Sequence, residues 1–264
     1  MKISVIMGIY NCEKYLDDAI KCILNQTYSD WELIMCDDGS SDQTYKIAKN
    51  YEYTFPHRIK VLKNKMNMGL NYTLNRCLKE AKGEYIARMD GDDLCSTKRF
   101  EKEVEVLENR KDISIVSTQM EYFDENGVWG ICRYKEYPNK KDFLRGSQFC
   151  HAACMVRKEA FDKVNGYTVD KRLLRVEDYH LWMKMYAAGY TGYNIQEPLY
   201  QMRDDKNAYR RRKLKYRINE TYVKFLLIKK FNLPTYSYLL AFKPVIVGLL
   251  PSCVYSFLHE IRLK

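Results

Sequence analysis

Three carboxylates crowd four positions at Asp90-Gly91-Asp92-Asp93, directly after the apolar run from Tyr85 to Met89. The run reads as a buried strand, so the acids stand at a strand's C-terminal end. Carboxylates this close repel one another unless a cation sits between them. Hard oxygen ligands at an Asp-x-Asp (DXD) spacing suit Mg²⁺ or Mn²⁺, which keep several waters and take further ligands from phosphates. The chemistry implied is a divalent metal carrying a diphosphate; the bland alternative is a polar turn after a strand. A second acidic strand end precedes it, where Trp31 to Cys36 stops at Asp37-Asp38-Gly39-Ser40-Ser41-Asp42. Upstream again, Ile3 to Met7 runs into Gly8-Ile9-Tyr10-Asn11.

Helical patterns separate these runs. Leu16, Ala19, Ile20, Ile23 and Leu24 share one face, and Leu70, Leu74, Cys77 and Leu78 share another in a helix that opens after Asn67-Met68-Gly69 and is expected to stop at Gly83. That is βαβ punctuation, which builds an α/β fold with a mainly parallel central sheet flanked by helices. Ligands bind such sheets at the carboxyl ends of the strands. Further along, Ile59 to Leu62 predicts a short strand and Phe100, Val104 and Leu107 a helix. Ile113 to Gln119 predicts a strand, and Asp124-Glu125-Asn126-Gly127 a hairpin turn between 120–123 and 128–134. Residues 152–156 predict a strand, and Glu177 to Ala188 a helix with Leu181, Trp182, Met185 and Tyr186 on its apolar side.

The 264 residues, 46% hydrophobic, suffice for one large domain with an appendage. The nine cysteines are odd in number and irregular in spacing, and Met1-Lys2 leads straight into a strand. Reduced core thiols in a cytoplasmic protein without a signal peptide are expected. Cys150-His151-Ala152-Ala153-Cys154 has no second ligand pair at zinc spacing. The net charge of +10 is unevenly placed: residues 206–264 hold thirteen Lys or Arg and two Glu. A near-neutral body with a basic tail points to an anionic partner surface.

With these residues in hand, the chain resembles the family 2 glycosyltransferases, which have the Rossmann-like GT-A fold. The matching blocks run in order from Ser4-Val5-Ile6 with Tyr10-Asn11, through Asp37-Asp38-Gly39-Ser40, Asn67 with Gly69, Gly83-Glu84-Tyr85-Ile86 and Asp90-Gly91-Asp92-Asp93, to Gly166-Tyr167 and Glu177-Asp178 before Leu181-Trp182. They cover roughly residues 1–205. Gly8 departs from the pattern, since many members carry Pro there. The resemblance implies a nucleotide-binding set of Gly8, Tyr10, Asp38, Asn67, Gly69 and Asp90, in which Asp38 reads the base, Tyr10 packs near it and Asp90 binds the ribose. It implies Asp92 as the ligand of Mn²⁺ or Mg²⁺, Arg203 as a cation for the diphosphate, and Asp178 as the general base of an inverting single displacement. Other readings stay open: Asp178 as an ordinary first-turn helix acid, Asp42 as a helix cap, and Asp93 as a metal contact or a structural acceptor. His151 reads as an acceptor-side group or a core histidine, with Glu177 and Trp182 in support.

Two parts are expected: a catalytic domain over 1–205, divided near 95 into nucleotide-sugar and acceptor halves, and a C-terminal helical basic extension over 206–264. In that extension Leu214, Ile218, Tyr222 and Phe225 predict one apolar helix face opposite Lys and Arg, followed by the apolar stretch Tyr238 to Pro251. Lys243, Pro244 and Pro251 interrupt the stretch, which argues against a spanning helix. The pattern suits a membrane interface or packing on the body. The leading function is therefore transfer of a sugar, from a UDP-sugar by expectation, to a lipid-linked glycan in surface polysaccharide synthesis, on the inner face of the cell membrane. The alternatives are a non-catalytic nucleotide-sugar or glycan-binding protein and, on charge alone, a nucleic-acid binder, for which no motif is present.

Overall fold

The computed structural model describes residues 1–204 and 213–249. Strands β1 (Ile3–Ile9), β2 (Trp31–Asp37), β3 (Ile59–Lys63) and β4 (Tyr85–Arg88) alternate with helices α1 (Leu16–Leu24), α2 (Thr44–Thr54) and α3 (Leu70–Glu80). The four strands lie in the order β3-β2-β1-β4, all parallel. Helices cover both faces, which is why β1 and β2 are apolar on both. Val5, Met7 and Ile9 enter one core with Leu16 and Ile20 of α1. Ile6 enters the other with Leu74 and Cys77 of α3. Gly83, expected as a helix stop, has a different task, since α3 already ends at Glu80. A Cβ on Gly83 would stand 2.5 Å from the Ser4 backbone nitrogen, so only glycine lets the chain pass this close to β1.

Beyond β4 the sheet becomes mixed. In chain order come β5 (Leu94–Cys95), α4 (Arg99–Asn109), β6 (Ile115–Asp124), β7 (Gly127–Cys132), β8 (Met155–Arg157), α5 (Lys158–Lys163), α6 (Glu177–Ala187) and β9 (Gly192–Arg203). The sheet continues β4-β8-β6-β9-β5, with β7 paired to β6. β6 and β9 are parallel; the other new pairings are antiparallel. The parallel part is thus one half of an α/β architecture with a Rossmann-like strand order. The expected hairpin is present, but its first strand is one unbroken β6 that begins at Ile115. The strand expected over 152–156 shortens to β8, because His151–Ala153 forms a 3-10 turn.

The strand β9 has no counterpart in the sequence pattern. Gln196, Glu197 and Pro198 interrupt its alternation, and the register to β6 shifts at that point. α4 is anchored by Arg99, wholly buried with Glu103 at 3.2 Å and donating to the Arg88 carbonyl at 2.8 Å.

The C-terminal residues form α7 (Leu214–Lys230), α8 (Ser237–Ala241) and α9 (Lys243–Gly248). The apolar face expected for α7 is not the buried one. Leu214 and Ile218 are exposed, whereas Val223 and Leu227 join the core around Trp182 and Tyr186. The body sets the rotation of the helix: Asn219 donates to the Leu174 carbonyl at 3.0 Å, and Arg172 lies 4.8 Å over the Tyr222 ring. Phe225 instead meets Tyr238 and Phe242. The expected charge cluster at Arg210, Arg211 and Arg212 and the end of the apolar stretch, from residue 250, lie outside the described residues.

Candidate active site

The site is assembled where the parallel strands end. After β1, Asn11 takes a left-handed conformation (φ 48°), and its side-chain oxygen accepts from Ser41 N at 2.9 Å. In return Asn11 N donates to Ser40 Oγ at 3.0 Å, so the loops after β1 and β2 are tied together. Gly39 turns with φ 76°, and a Cβ there would lie 2.8 Å from the Met66 backbone. Asp42 accepts from Thr44 N at 3.0 Å, one residue ahead of the N-cap position of α2, which Gln43 occupies.

Asp38 is nearly buried and holds the next loop. It accepts from Asn64 Nδ2 at 2.6 Å, from Met68 N at 2.8 Å and from Gly69 N at 2.9 Å. It thereby fixes the backbone leading into α3, and Gly69 accommodates φ 89°. Tyr10 is 49% exposed, with its ring open to a stacking partner. Gly8, Tyr10, Asp38, Asn67 and Gly69 line one cleft of about 460 Å³, and Glu177 lines it from the far side. Lys171 and Arg175 add cations to that side, and Tyr216 of α7 closes part of it. Arg175 has φ 68°, a sparsely populated conformation for a residue that is neither glycine nor asparagine. Such backbones persist only where the surroundings enforce them.

The acidic cluster divides by task. Asp90 forms a bidentate pair with the buried Arg88, at 2.5 and 3.1 Å. Asp93 is buried and accepts from Tyr200 Oη and Arg203 N, both at 2.8 Å. It therefore works as the structural acceptor that draws the end of β9 to the acidic loop. Asp92 remains exposed to solvent. Restricted solvation and then the Asp90 charge push its carboxyl up to about 6. Arg203 donates from Nε to the Asp92 carbonyl at 3.0 Å, and its guanidinium lies 4.0 Å from the Tyr15 ring centre.

Among the described residues no group of three or more His, Cys, Asp or Glu is arranged to hold a metal ion. A preformed protein cage is thus not present there. The donor set nevertheless fits a cation that arrives with its phosphates: Mg²⁺-type sites take one or two carboxylates and complete the shell from substrate and water. Asp92, raised by restricted solvation and then by the Asp90 charge, is the carboxylate with oxygens to spare.

On the opposite side, Asp178 lies in the first turn of α6 and accepts from Ser147 Oγ at 2.8 Å. Burial raises its pKa above the usual carboxylate value. Glu177 is raised too, by burial and then by Asp178. His151 bonds Tyr167 Oη at 2.8 Å, and burial followed by the Arg88 charge holds it neutral. Trp182 is wholly buried, with Phe149 at 5.5 Å and His151 at 5.9 Å between ring centres. It supports His151 and presents no face to a ligand.

Arg88, Ser147, Lys171, Arg175, Tyr200 and Asn64 join this arrangement without a counterpart in the sequence analysis. Arg88 carried a signal, being a charge inside an apolar strand run two residues before Asp90. Nothing local distinguished the others.

A family model, "Glycosyl transferase family 2", matches residues 4–164. The chain is a family 2 glycosyltransferase. The transferase is 42% identical over 261 residues to EpsE of Bacillus subtilis (strain 168), named as a glycosyltransferase; the match covers 99% of this chain and 94% of that one. It is 33% identical over 229 residues to an Escherichia coli UDP-Gal:alpha-D-GlcNAc-diphosphoundecaprenol beta-1,3-galactosyltransferase, covering 83% and 80%. In structure it resembles TarS of S. aureus (residues 1–349) bound to UDP-GlcNAc, at TM-score 0.70 and 18% identity over 94% of this chain and 72% of that one. It also resembles the mannosyltransferase PcManGT of Pyrobaculum calidifontis, solved with GDP-Man and Mn²⁺, at TM-score 0.66 and 18% identity over 98% and 79%. These likenesses establish the GT-A fold of the transferase.

Proposed function

We propose that this transferase moves a sugar from a UDP-sugar to a lipid-linked glycan with inversion at the anomeric carbon, as a step of surface polysaccharide assembly. The observation that carries the reading is the shared cleft. The loops after β1 and β2 line it from one side and Glu177, the neighbour of Asp178, from the other. Of the residues assigned to the donor, Gly8, Tyr10, Asp38, Asn67 and Gly69 line that cleft, whereas Asp90, Asp92, Arg203 and Asp178 itself do not.

In this reading Tyr10 stacks on the base. Asp38 holds the Gly69 loop and offers it the remaining lone pair of Oδ2. Asp90, fixed by Arg88, binds the ribose hydroxyls. A divalent cation held by Asp92 and the diphosphate oxygens would supply neutralisation of the leaving charge. Arg203 adds a cation at the same edge. Asp178 takes the proton of the acceptor hydroxyl as that oxygen attacks the anomeric carbon. The bond from that carbon to the diphosphate oxygen breaks, and the nucleoside diphosphate leaves. A carboxyl raised by burial is a stronger proton acceptor than an ordinary one, and Ser147 keeps it aimed.

The UDP donor and the lipid-linked acceptor are supported by the Escherichia coli relative's name, and metal use by Mn²⁺ in PcManGT. No helix of the described residues is long and apolar enough to cross a membrane. Peripheral attachment to the inner membrane face through the basic, apolar C-terminal segment is part of the proposal. The test is a panel of UDP- and GDP-sugars with Mn²⁺ and a lipid-diphosphate acceptor, with the product anomer read by NMR. Retention of the donor configuration, or no transfer from any nucleotide sugar, would overturn the reading.

A further inference from the structure

A second cavity, of about 420 Å³, lies between the 3-10 turn Asp142–Arg145 and the helices α8 and α9. Its wall is apolar, with Leu144, Leu233 and Leu240. Lys141, Arg145 and Lys243 also line it, and no acidic side chain does. None of these three cations makes an ion pair among the described residues. Asp142, the nearest acid in sequence, bonds Lys135 and the Asn139 backbone and feels the Arg145 charge without an ion-pair contact to it. Ser237 lines the cavity as well. It is wholly buried, and its hydroxyl has no hydrogen-bond partner. A buried hydroxyl without a partner is costly and calls for one. Three cations without an ion-pair contact among the described residues and an orphan hydroxyl over an apolar wall match an amphiphile: phosphate oxygens for the polar groups, methylenes for the leucines.

The surroundings extend this match. Leu239, Phe242, Ile246 and Leu249 are exposed, Leu239 by 77%, and they continue the apolar surface along α8 and α9. An exposed apolar patch bordered by cations suits a lipid interface. The cavity also belongs to the acceptor side. The Tyr179 hydroxyl of α6 donates to the Phe143 carbonyl, and Gln148 Nε2 donates to the Asp142 and Gly146 carbonyls. Arg145 is two residues from Ser147, which holds Asp178, so their Cα atoms stand at most about 7 Å apart.

We propose that this cavity binds the diphosphate of a lipid-linked acceptor, with the hydrocarbon chain running over the exposed face of α8 and α9. The inference rests on the reading of the acceptor as lipid-linked. It adds the site that would recognise the lipid phosphate rather than the sugar.

The test is co-flotation of the full-length protein with zwitterionic vesicles carrying a few mole per cent of a polyprenyl diphosphate sugar. Vesicles of equal charge made with phosphatidylglycerol are the second arm, and inorganic pyrophosphate is the competitor. Wild type should prefer the diphosphate lipid, pyrophosphate alone should compete poorly, and Arg145→Ala/Lys243→Ala should lose about tenfold or more in binding. Ser237→Ala should bind less well yet melt higher without ligand, because it removes an orphan hydroxyl; a merely structural serine would not give that pair of results. In transfer assays the same substitutions should raise KM far more for the lipid-diphosphate acceptor than for a lipid-free glycoside. Lys141→Gln, on the exposed rim, repeats the binding test with little risk to folding. Binding equal to wild type in these variants would overturn the proposal, as would equal preference for phosphatidylglycerol or full competition by pyrophosphate. Failure of the functional reading looks different: diphosphate-lipid binding would persist with no transfer to any acceptor.

Discussion

Ser147→Ala isolates the environment of Asp178, the proposed base, from that carboxylate itself. The Ser147 hydroxyl has one proton, and its short contact is to Asp178 Oδ2 at 2.8 Å; the alternative, the Phe149 carbonyl, is at 3.4 Å. The bond therefore stabilises the ionised carboxylate. A hydrogen bond to a charged group is worth roughly 1.5–3 kcal/mol. Asp178 and Ser147 are half-buried, so the lower end applies, about 1.4 kcal/mol, or a factor of about ten in ionisation. Burial already raises the Asp178 pKa, and losing the donor raises it further. The base then stays protonated to higher pH. The acid limb of the kcat/KM profile should move upward by about one pH unit, while the high-pH plateau and the donor KM change little. The assay is nucleoside diphosphate release with donor saturating and acceptor limiting, across roughly pH 4 to 9. A limb that does not move, or an equal loss at every pH, would refute the assignment of Asp178 as the titrating base.

Asp178→Asn keeps the shape and loses the proton acceptor, so turnover should fall about 10²–10⁴-fold with donor affinity retained in calorimetry. Because the folded state raises this carboxyl, its ionisation opposes folding at neutral pH and the penalty fades as pH falls through the folded pKa. The same variant should therefore melt higher than wild type near pH 7. Asp92→Ala should abolish transfer and Mn²⁺-dependent nucleotide binding with the fold intact by circular dichroism; full activity of wild type in EDTA would contradict this. Arg99→Met strands the buried Glu103 and should cost about 3–5 kcal/mol in urea unfolding. The cost should be smaller at pH 6 than at pH 8, since Glu103, already pushed up to about 7, can take a proton. Truncation after residue 204 removes the buried Val223, Leu227 and Ile228, together roughly 5–9 kcal/mol of burial. That is comparable to the whole stability of a domain, so the truncated chain should lose its cooperative melting transition.

The parallel half was legible because its information is local. Each strand from β1 to β4 is an apolar run with its own turn chemistry, and α1 and α3 carry their buried faces at helical spacing. The βαβ order then places the loop ends of 8–11, 37–42 and 90–93 side by side, whatever the rest of the chain does. The acidic cluster could be read the same way as a place for positive charge. Its division of labour could not. Asp90, Asp92 and Asp93 are the same residue type within four positions; Arg88 of β4 sets Asp90 apart, and β9 sets Asp93 apart by bringing Tyr200 and the Arg203 amide to it. That strand escaped notice because Pro198 and its polar neighbours break the alternation that marks a strand. The proposed base shows the same limit: the sequence supplied Asp178 at a helix start, but its hydrogen-bond donor lies thirty-one residues away in a segment without periodicity. The rotation of α7 was likewise undecided by its pattern, since apolar residues occur on more than one side. Packing against Trp182 and Tyr186 chose Val223 and Leu227 for the core and left Leu214 and Ile218 outside. Sequence alone thus determined which residues could do the chemistry and the half-sheet that carries them. Tertiary structure decided which carboxylate stays free and which helix face is buried, because both depend on partners distant along the chain.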